Sequence, residues 1–441
     1  MNLFPKEGQT MRSNKIVMIA IFILALGVAM GANVWQPEAL AADQKVTITL
    51  WHVYGPEMKG AHDWFKMVIA EFEKQYPNIH VEVEITPNDP YKVKFQTAMQ
   101  AGQAGDACMV FPGAFTEPFA RDGALLPMDK YLDQGGWRNE FRPATFAPLT
   151  FGGKTYGIPF AIRTVHLWYN KDVFKQYDLK PAKTMGELKN IIKTLKAKGV
   201  TPVSLGNKER WQGDFWVNYL FVRLGGYKTW VDAMFQKGKG FGDPSFTNAL
   251  ALLQELVKMG TFTEGTNGVG AMDVNNAFFT GKAAMILNGT FFVDQVGSLG
   301  PKGFLDEKLG YMNFPLIEGG KGTMRDYQGG VTPGFVINAK TKYPDEVATF
   351  YRFISKPMYM KSLATTAKWV TAVKGSTPEG AGTILKSVIG EVDNIENLAS
   401  YINFSLLPKV WEEYADYQQA VFGLSMKPEE AAARIMKAAA K

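Results

Sequence analysis

YGIPFAIRTVHLWYNK, residues 156–171, joins a Gly-Ile-Pro turn, a long apolar and β-branched run, and a polar stop at Tyr169-Asn170-Lys171. Pro159 has no N–H to give to a sheet ladder, so the chain bends or lies at a sheet edge there. Arg163 and His166 interrupt a segment otherwise suited to extended backbone. The reading is a first crossing, in which the chain leaves one lobe and enters another.

Towards the N-terminus, VTITLW at 46–51 alternates as a strand and ends in the turn HVYGPE. Trp64, Val68 and Phe72, with Met67 beside them, recur at helical spacing until Tyr76-Pro77-Asn78 stops the helix. His80–Thr86 reads as a strand, Tyr91–Ala101 as a helix closed by Gly102–Gly105, and Ala107–Phe111 as a third strand. This alternation predicts an α/β fold with a largely parallel sheet. Ligands of such sheets bind beyond the carboxyl ends of the strands. The loops His52–Glu57 and Phe111–Glu117 are therefore the first places to look.

After Lys171 the pattern restarts. Met185–Lys198 is an amphipathic helix opened by Thr184, with Glu187 three residues on as a capping box. Val200–Leu205 is a strand, Trp211–Val222 is aromatic-rich, and Phe246–Lys258 is a helix. GKAAMILNGT at 281–290 reads as a strand ending in a polar turn, and GGVTPGFVIN at 329–338 as a second crossing between lobes. Helices follow at Pro344–Ile354 and from about Pro428, where Glu429 and Glu430 in the first turn suit the helix dipole. No repeat or low-complexity linker separates the halves, which fits two lobes joined by crossing strands rather than tandem domains.

Arg12 and Lys15 precede an apolar run from Ile16 to about Ala32, and Ala39-Leu40-Ala41 supplies small residues for cleavage after Ala41. This is a secretory signal, with Met11 an alternative start; the competing reading, an uncleaved anchor, is opposed by Gly27, Gly31 and Pro37. No Cys lies near the cleavage site for lipid attachment, so the expected location is the periplasm. The roughly 400 residues left exceed one ordinary core. The whole chain carries +6 and the mature chain about +5, spread without a basic block, so nucleic acid is not an expected partner. Cys108, the single cysteine of the sequence, sits in a strand-like run and reads as a small buried hydrophobe rather than a nucleophile.

Catalytic signatures are sparse. Gly153-Lys154-Thr155 lacks the upstream Gly of a phosphate loop, because Pro148 stands there. His52, His62, His80 and His166 have no metal-ligand spacing. Neither a metal nor a cofactor is expected. A glycosidase carboxylate pair stays open by counting alone. The aromatics say more: Trp51, Phe111, Trp168, Trp211, Phe215, Trp216, Phe291, Phe292 and Trp411 fall mostly near strand ends and loops. Core packing explains any one of them. As a group they suit a cleft that stacks on sugar rings, with Arg210, Gln212, Asp214 and Asn288-Gly289-Thr290 as polar neighbours. Arg163 reads either as a ligand contact or as an inter-lobe ion pair, and Asp106 as a turn-stabilising residue.

ITLWHVYG, AGQAGDACMVF, YGIPFAIRTVHLWYNKDVF, FFTGKAAMILNGTFF, GGVTPGFVIN and VATFYRFIS together resemble the sugar-binding family of ABC-importer solute-binding proteins that includes maltose-binding proteins. The resemblance spans essentially the whole mature chain. It implies a two-lobed, discontinuous protein that closes on a ligand and docks on a membrane permease. It implies the lobes 42–161 with 334–390 and 162–333 with 391–441, after a signal segment 1–41. Transferred position by position, it implies ligand contacts at His52, Tyr54, Phe111, Arg163, Trp211, Asp214, Trp216, Asn288, Phe291, Gly330 and Trp411. Arg163 stands where maltose-binding relatives have an acidic contact, and Gly105 stands where the family has Pro before the aspartate. The expected function is a non-enzymatic, monomeric sugar receptor in which Trp216 and Trp411 stack on the sugar. The alternatives are a receptor for a polyol, glycerophosphodiester or anionic sugar, and an exported carbohydrate-active enzyme.

Overall fold

The computed structural model describes residues 45–378, 382–392 and 395–440; the expected signal segment 1–41 lies outside them. Two sheets organise the chain. The first runs in the order Ile79–Ile85, Val46–His52, Ala107–Val110, Gly334–Ile337, Gly157–Pro159. Its first three strands are parallel and its last two antiparallel to their neighbours. The second runs Asn397–Ala399, Asp326–Val331, Ala161–Asn170, Ala283–Gly289, Thr201–Ser204, with Leu309–Met312 and Val370–Thr371 also paired to Ala161–Asn170. The α/β class read from the alternating pattern is the fold observed.

Both crossings resolve into two strands rather than one. Pro159 pairs with Gly334 in the first sheet, and two residues later Ala161 pairs with Thr371 in the second. Between them the Phe160 N–H donates to the Pro333 carbonyl (3.0 Å) and the Phe160 carbonyl accepts from Ala372 (3.0 Å). The returning segment changes sheet at Thr332-Pro333, where the peptide bond is cis and the Thr332 N–H donates to Ala161 (2.9 Å). A third segment joins this waist, since Arg142 donates to the Ala372 carbonyl (2.9 Å). The waist is tight: a Cβ on Gly329 would stand 2.0 Å from the Arg163 carbonyl, so only glycine fits.

Each lobe buries its own core. The helix Lys59–Gln75 packs Trp64, Phe65, Val68 and Phe72 on the first sheet, and Trp216, Tyr219, Leu250 and Leu253 belong to the core on the second. The helix Thr383–Val392, expected to lie mostly in the first lobe, instead shares Leu385 and Val388 with the buried cluster of Trp168, Phe278 and Phe304. Its apolar stripe has a ready hydrophobic surface there, which sequence order alone does not reveal. Cys108 is buried, with its thiol donating to the Gly105 carbonyl at 3.3 Å. Asp106 holds Thr49 and Thr341: it accepts from the Thr49 N–H (2.8 Å) and the Thr341 hydroxyl (2.6 Å).

Candidate functional site

Between the lobes lies a cavity of about 440 Å³, within the range of small-molecule pockets. The first lobe contributes Tyr54, Glu57 and Met58 from beyond the strand Val46–His52, and Phe111 from beyond Ala107–Val110. The helix Asn88–Ala101 adds Asp89 and Lys92. The second lobe faces them with Trp211 and Phe215 from the first turns of the helix Trp211–Gly225, and with Phe291 from beyond Ala283–Gly289. Tyr401, Asn403 and Phe404 complete that wall. The loops singled out from the sequence thus do border the cavity. Across it, the Phe111 and Phe404 rings stand 5.0 Å apart, and the Ala114 N–H donates to the Phe404 carbonyl at 2.6 Å.

Arg163 lies at the waist end of the cavity, buried, with its guanidinium 3.8 Å above the Trp369 ring. Its Nε donates to the Thr332 carbonyl at 3.3 Å, and it shares a hydrogen bond with Tyr54. Burial lowers its pKa, while Tyr54, Tyr401 and Asp294 favour the charged form. Burial likewise pushes the Asp294 carboxyl up to about 6, against the N–H groups of Ala61 and Gly60 and the nearby Arg163. Arg163 Nη1, Trp211 Nε1 and the Tyr401 hydroxyl have no hydrogen-bond partner among the described residues. Buried polar groups are ordinarily paired, so these three at the cavity wall offer bonds to a polar ligand.

The carboxylates outnumber the cations. Glu57, Asp89, Glu209 and Asp273 border the cavity against Lys92 and Arg163, and Lys92 is already paired with Asp89 at 3.0 Å. Glu209 also accepts from the Ala271 N–H at 2.9 Å, which fixes one of its oxygens and leaves the other as an acceptor.

Of the residues anticipated from the sequence, Tyr54, Phe111, Arg163, Trp211 and Phe291 meet around this cavity. Trp411 stacks on Tyr414 (5.6 Å) and borders an adjoining space of about 230 Å³, which shares Asp89, Lys92, Glu209, Trp211, Asn403 and Phe404 with the first. The others stand elsewhere. Trp216 is fully buried between Phe262 (5.0 Å) and Phe314 (5.4 Å) in the second core. His52 is stacked on Phe65 (4.5 Å), and burial with the nearby His62 lowers its pKa to about 3, so it is a neutral packing residue. Asn288 turns its Oδ1 to the Gly289 N–H (2.9 Å), and Gly330 pairs with Arg163 in the sheet. Arg210, held by Glu412 (2.5 Å) and Asp416 (3.0 Å), borders the adjoining space beside Trp411, while Gln212 is held by the Gly206 N–H (3.0 Å).

Asp214 is buried behind the wall rather than in it. It accepts from the Tyr414 hydroxyl (2.9 Å) and from the Ile402 and Asn403 N–H groups, and burial pushes its carboxyl up to about 7. It thereby positions the turn carrying Asn403 and Phe404. Sequence reading missed Tyr401, Asn403 and Phe404, because YINF forms only one short turn and shows no periodicity. The one available signal was an aromatic pair flanking an asparagine.

The model of the bacterial extracellular solute-binding proteins matches residues 55–361. This chain belongs to that family. A solute-binding protein of this family is built to hold a small molecule between lobes, as the cavity here is placed to do. An uncharacterized ABC transporter extracellular-binding protein of Pyrococcus horikoshii is 23% identical over 89% of this chain and 87% of its own. The multiple sugar-binding protein of Streptococcus mutans is 24% identical over 76% of each. Among solved structures, one from work on xylan utilization by Caldanaerobius polysaccharolyticus superposes with a TM-score of 0.83 at 30% identity, covering 89% of this chain and 99% of that one. A chitin oligosaccharide binding protein superposes with a TM-score of 0.81 at 23% identity, covering 89% and 98%. The relatives are binding proteins rather than enzymes, and the family places the chain outside the cytoplasm.

Proposed function

We propose that this protein is the receptor of an ABC importer for a neutral sugar, a mono- or oligosaccharide, which it delivers to the transmembrane permease. The observation that carries the reading is the inter-lobe cavity of about 440 Å³, walled by rings from both lobes and edged with carboxylates. Sugar C–H faces pack on Tyr54, Trp211, Phe291 and Phe404, while hydroxyls donate to Glu57, Glu209 and Asp273. A ligand held by both lobes favours the closed arrangement over the open one. Similar proteins that bind multiple sugars, galactooligosaccharide, chitin oligosaccharide or raffinose support a sugar. The excess of carboxylates over cations supports a neutral one over the anionic sugar or glycerophosphodiester, which each carboxylate would repel. Secretion to the periplasm by the segment 1–41, with no cysteine beside Ala41, accords with this role.

A thermal-shift screen tests the proposal. Xylo-oligosaccharides, chito-oligosaccharides, raffinose, maltotriose and galactose are compared with glucuronate and glycerophosphodiesters. At 100 times Kd a ligand of the native state adds about 2.7 kcal/mol. At least one neutral sugar should raise Tm by several degrees and be recovered unchanged after overnight incubation. Stabilisation by the anions alone, or turnover of the sugar, refutes the reading.

A further inference from the structure

The helix Lys59–Gln75 begins without a cap of its own. Its N-cap position is Met58, whose side chain accepts no hydrogen bond, and its first turn has no acidic residue. The leading N–H groups of a helix have no intrahelical acceptor and need one from outside. The Met58 N–H donates to the Gly55 carbonyl (2.9 Å) in its own lobe, but the acceptors for the next three come from the opposite lobe. The Gly60 N–H donates to Asp294 Oδ1 (3.0 Å), the Ala61 N–H to Asp294 Oδ2 (3.1 Å), and the Lys59 N–H to Ser298 Oγ (2.9 Å). Ser298 in turn donates to the Asp294 carbonyl at 2.8 Å, so both acceptors sit on one rigid turn of the helix Phe292–Leu299.

We infer that Asp294 and Ser298 form an N-cap in trans, a positioning device that ties the first-lobe helix to the second lobe and holds the cavity walls together. The two helices whose starts meet here also carry Met58, Phe291 and Gln295, all of which border the cavity. Separating the lobes at this point strips acceptors from three N–H groups at once. Asp294 lies in the first turn of its own helix and faces the first turn of the other, so two helix N-termini favour its negative charge. The approach is close enough to require glycine: a Cβ on Gly60 would stand 2.7 Å from Asp294 Oδ1 and 2.5 Å from the Thr366 carbonyl. The inference is independent of which solute is carried.

Interlobe distance in the ligand-free protein tests it. Spin labels on Lys66→Cys and Lys302→Cys, both exposed and in opposite lobes, report opening by pulsed dipolar spectroscopy at neutral pH. The Asp294→Ala/Ser298→Ala pair should shift the distribution to longer distances, with the open population rising at least tenfold, and Asp294→Asn should give a smaller shift. Adding Met58→Ser returns a local cap, and should recover Tm while leaving the lobes apart. A distribution unchanged from wild type in Asp294→Asn and in the folded double variant overturns the inference. So does reclosure by Met58→Ser, which would make the bonds a matter of helix stability alone.

Discussion

Trp211 and Trp216 lie on one helix, five residues apart, which at 3.6 residues per turn separates them by about 140° around the axis. Trp211, with Phe215 one turn on, faces the cavity; Trp216 faces the core between Phe262 and Phe314. Replacing each by alanine should therefore have opposite consequences. Trp216→Ala removes a fully buried indole, a change that typically costs about 3–5 kcal/mol. At about 1 °C per kcal/mol for a chain of roughly 400 residues, Tm should fall by about 4–6 °C. Trp211 is only half-buried, so its loss costs the empty protein little. If a sugar face covers about 60–80 Å² of its ring, at ~25 cal/mol per Å² the contact is worth about 1.5–2 kcal/mol, or about 10- to 30-fold in Kd. Melting without ligand and calorimetric titration with the sugar found in the screen separate the two effects. A Trp211→Ala variant with unchanged Kd, or a Trp216→Ala variant with weakened binding and unchanged Tm, would refute this division of the helix.

Asp214 provides a pH test. Its folded pKa of about 7 lies above the ordinary 3.8, so its stabilising contribution is fully present below about pH 4 and is lost as pH rises through 7. Asp214→Asn does not titrate. The stability of wild type relative to this variant should fall by about 1.4 kcal/mol per pH unit across that window, measured by urea unfolding; a flat difference contradicts the assigned burial. Cys108 is fully buried, and burial raises its thiol pKa well above the usual value. Iodoacetamide should therefore modify it only on unfolding, and stoichiometric labelling of the native protein within minutes would show the strand Ala107–Val110 to be open.

Much of the architecture was legible before folding, because local rules write it along the chain. Alternating apolar residues mark Val46–His52, helical spacing marks Lys59–Gln75, and Thr184 with Glu187 forms the capping box anticipated from their spacing. Pro159 and the glycines of 329–338 locate the segments that change sheet, since few other residues permit such bends and close approaches. Aromatic character located the cavity in outline but not in register. Type and spacing cannot say which face of a helix meets the core, so Trp216 and Trp211 look alike until the second lobe packs.

Tertiary structure alone decided the rest. The short turn carrying Asn403 and Phe404 has no periodic pattern, and is placed by the buried Asp214 and Tyr414, which are themselves 200 residues apart. The missing cap at Met58 is visible in the sequence as an absence, but the acceptor for Gly60 lies at Asp294, 234 residues on. Helix and strand signals act over one or two turns of chain, whereas the groups that complete this cavity are brought together only when two separately packed cores meet.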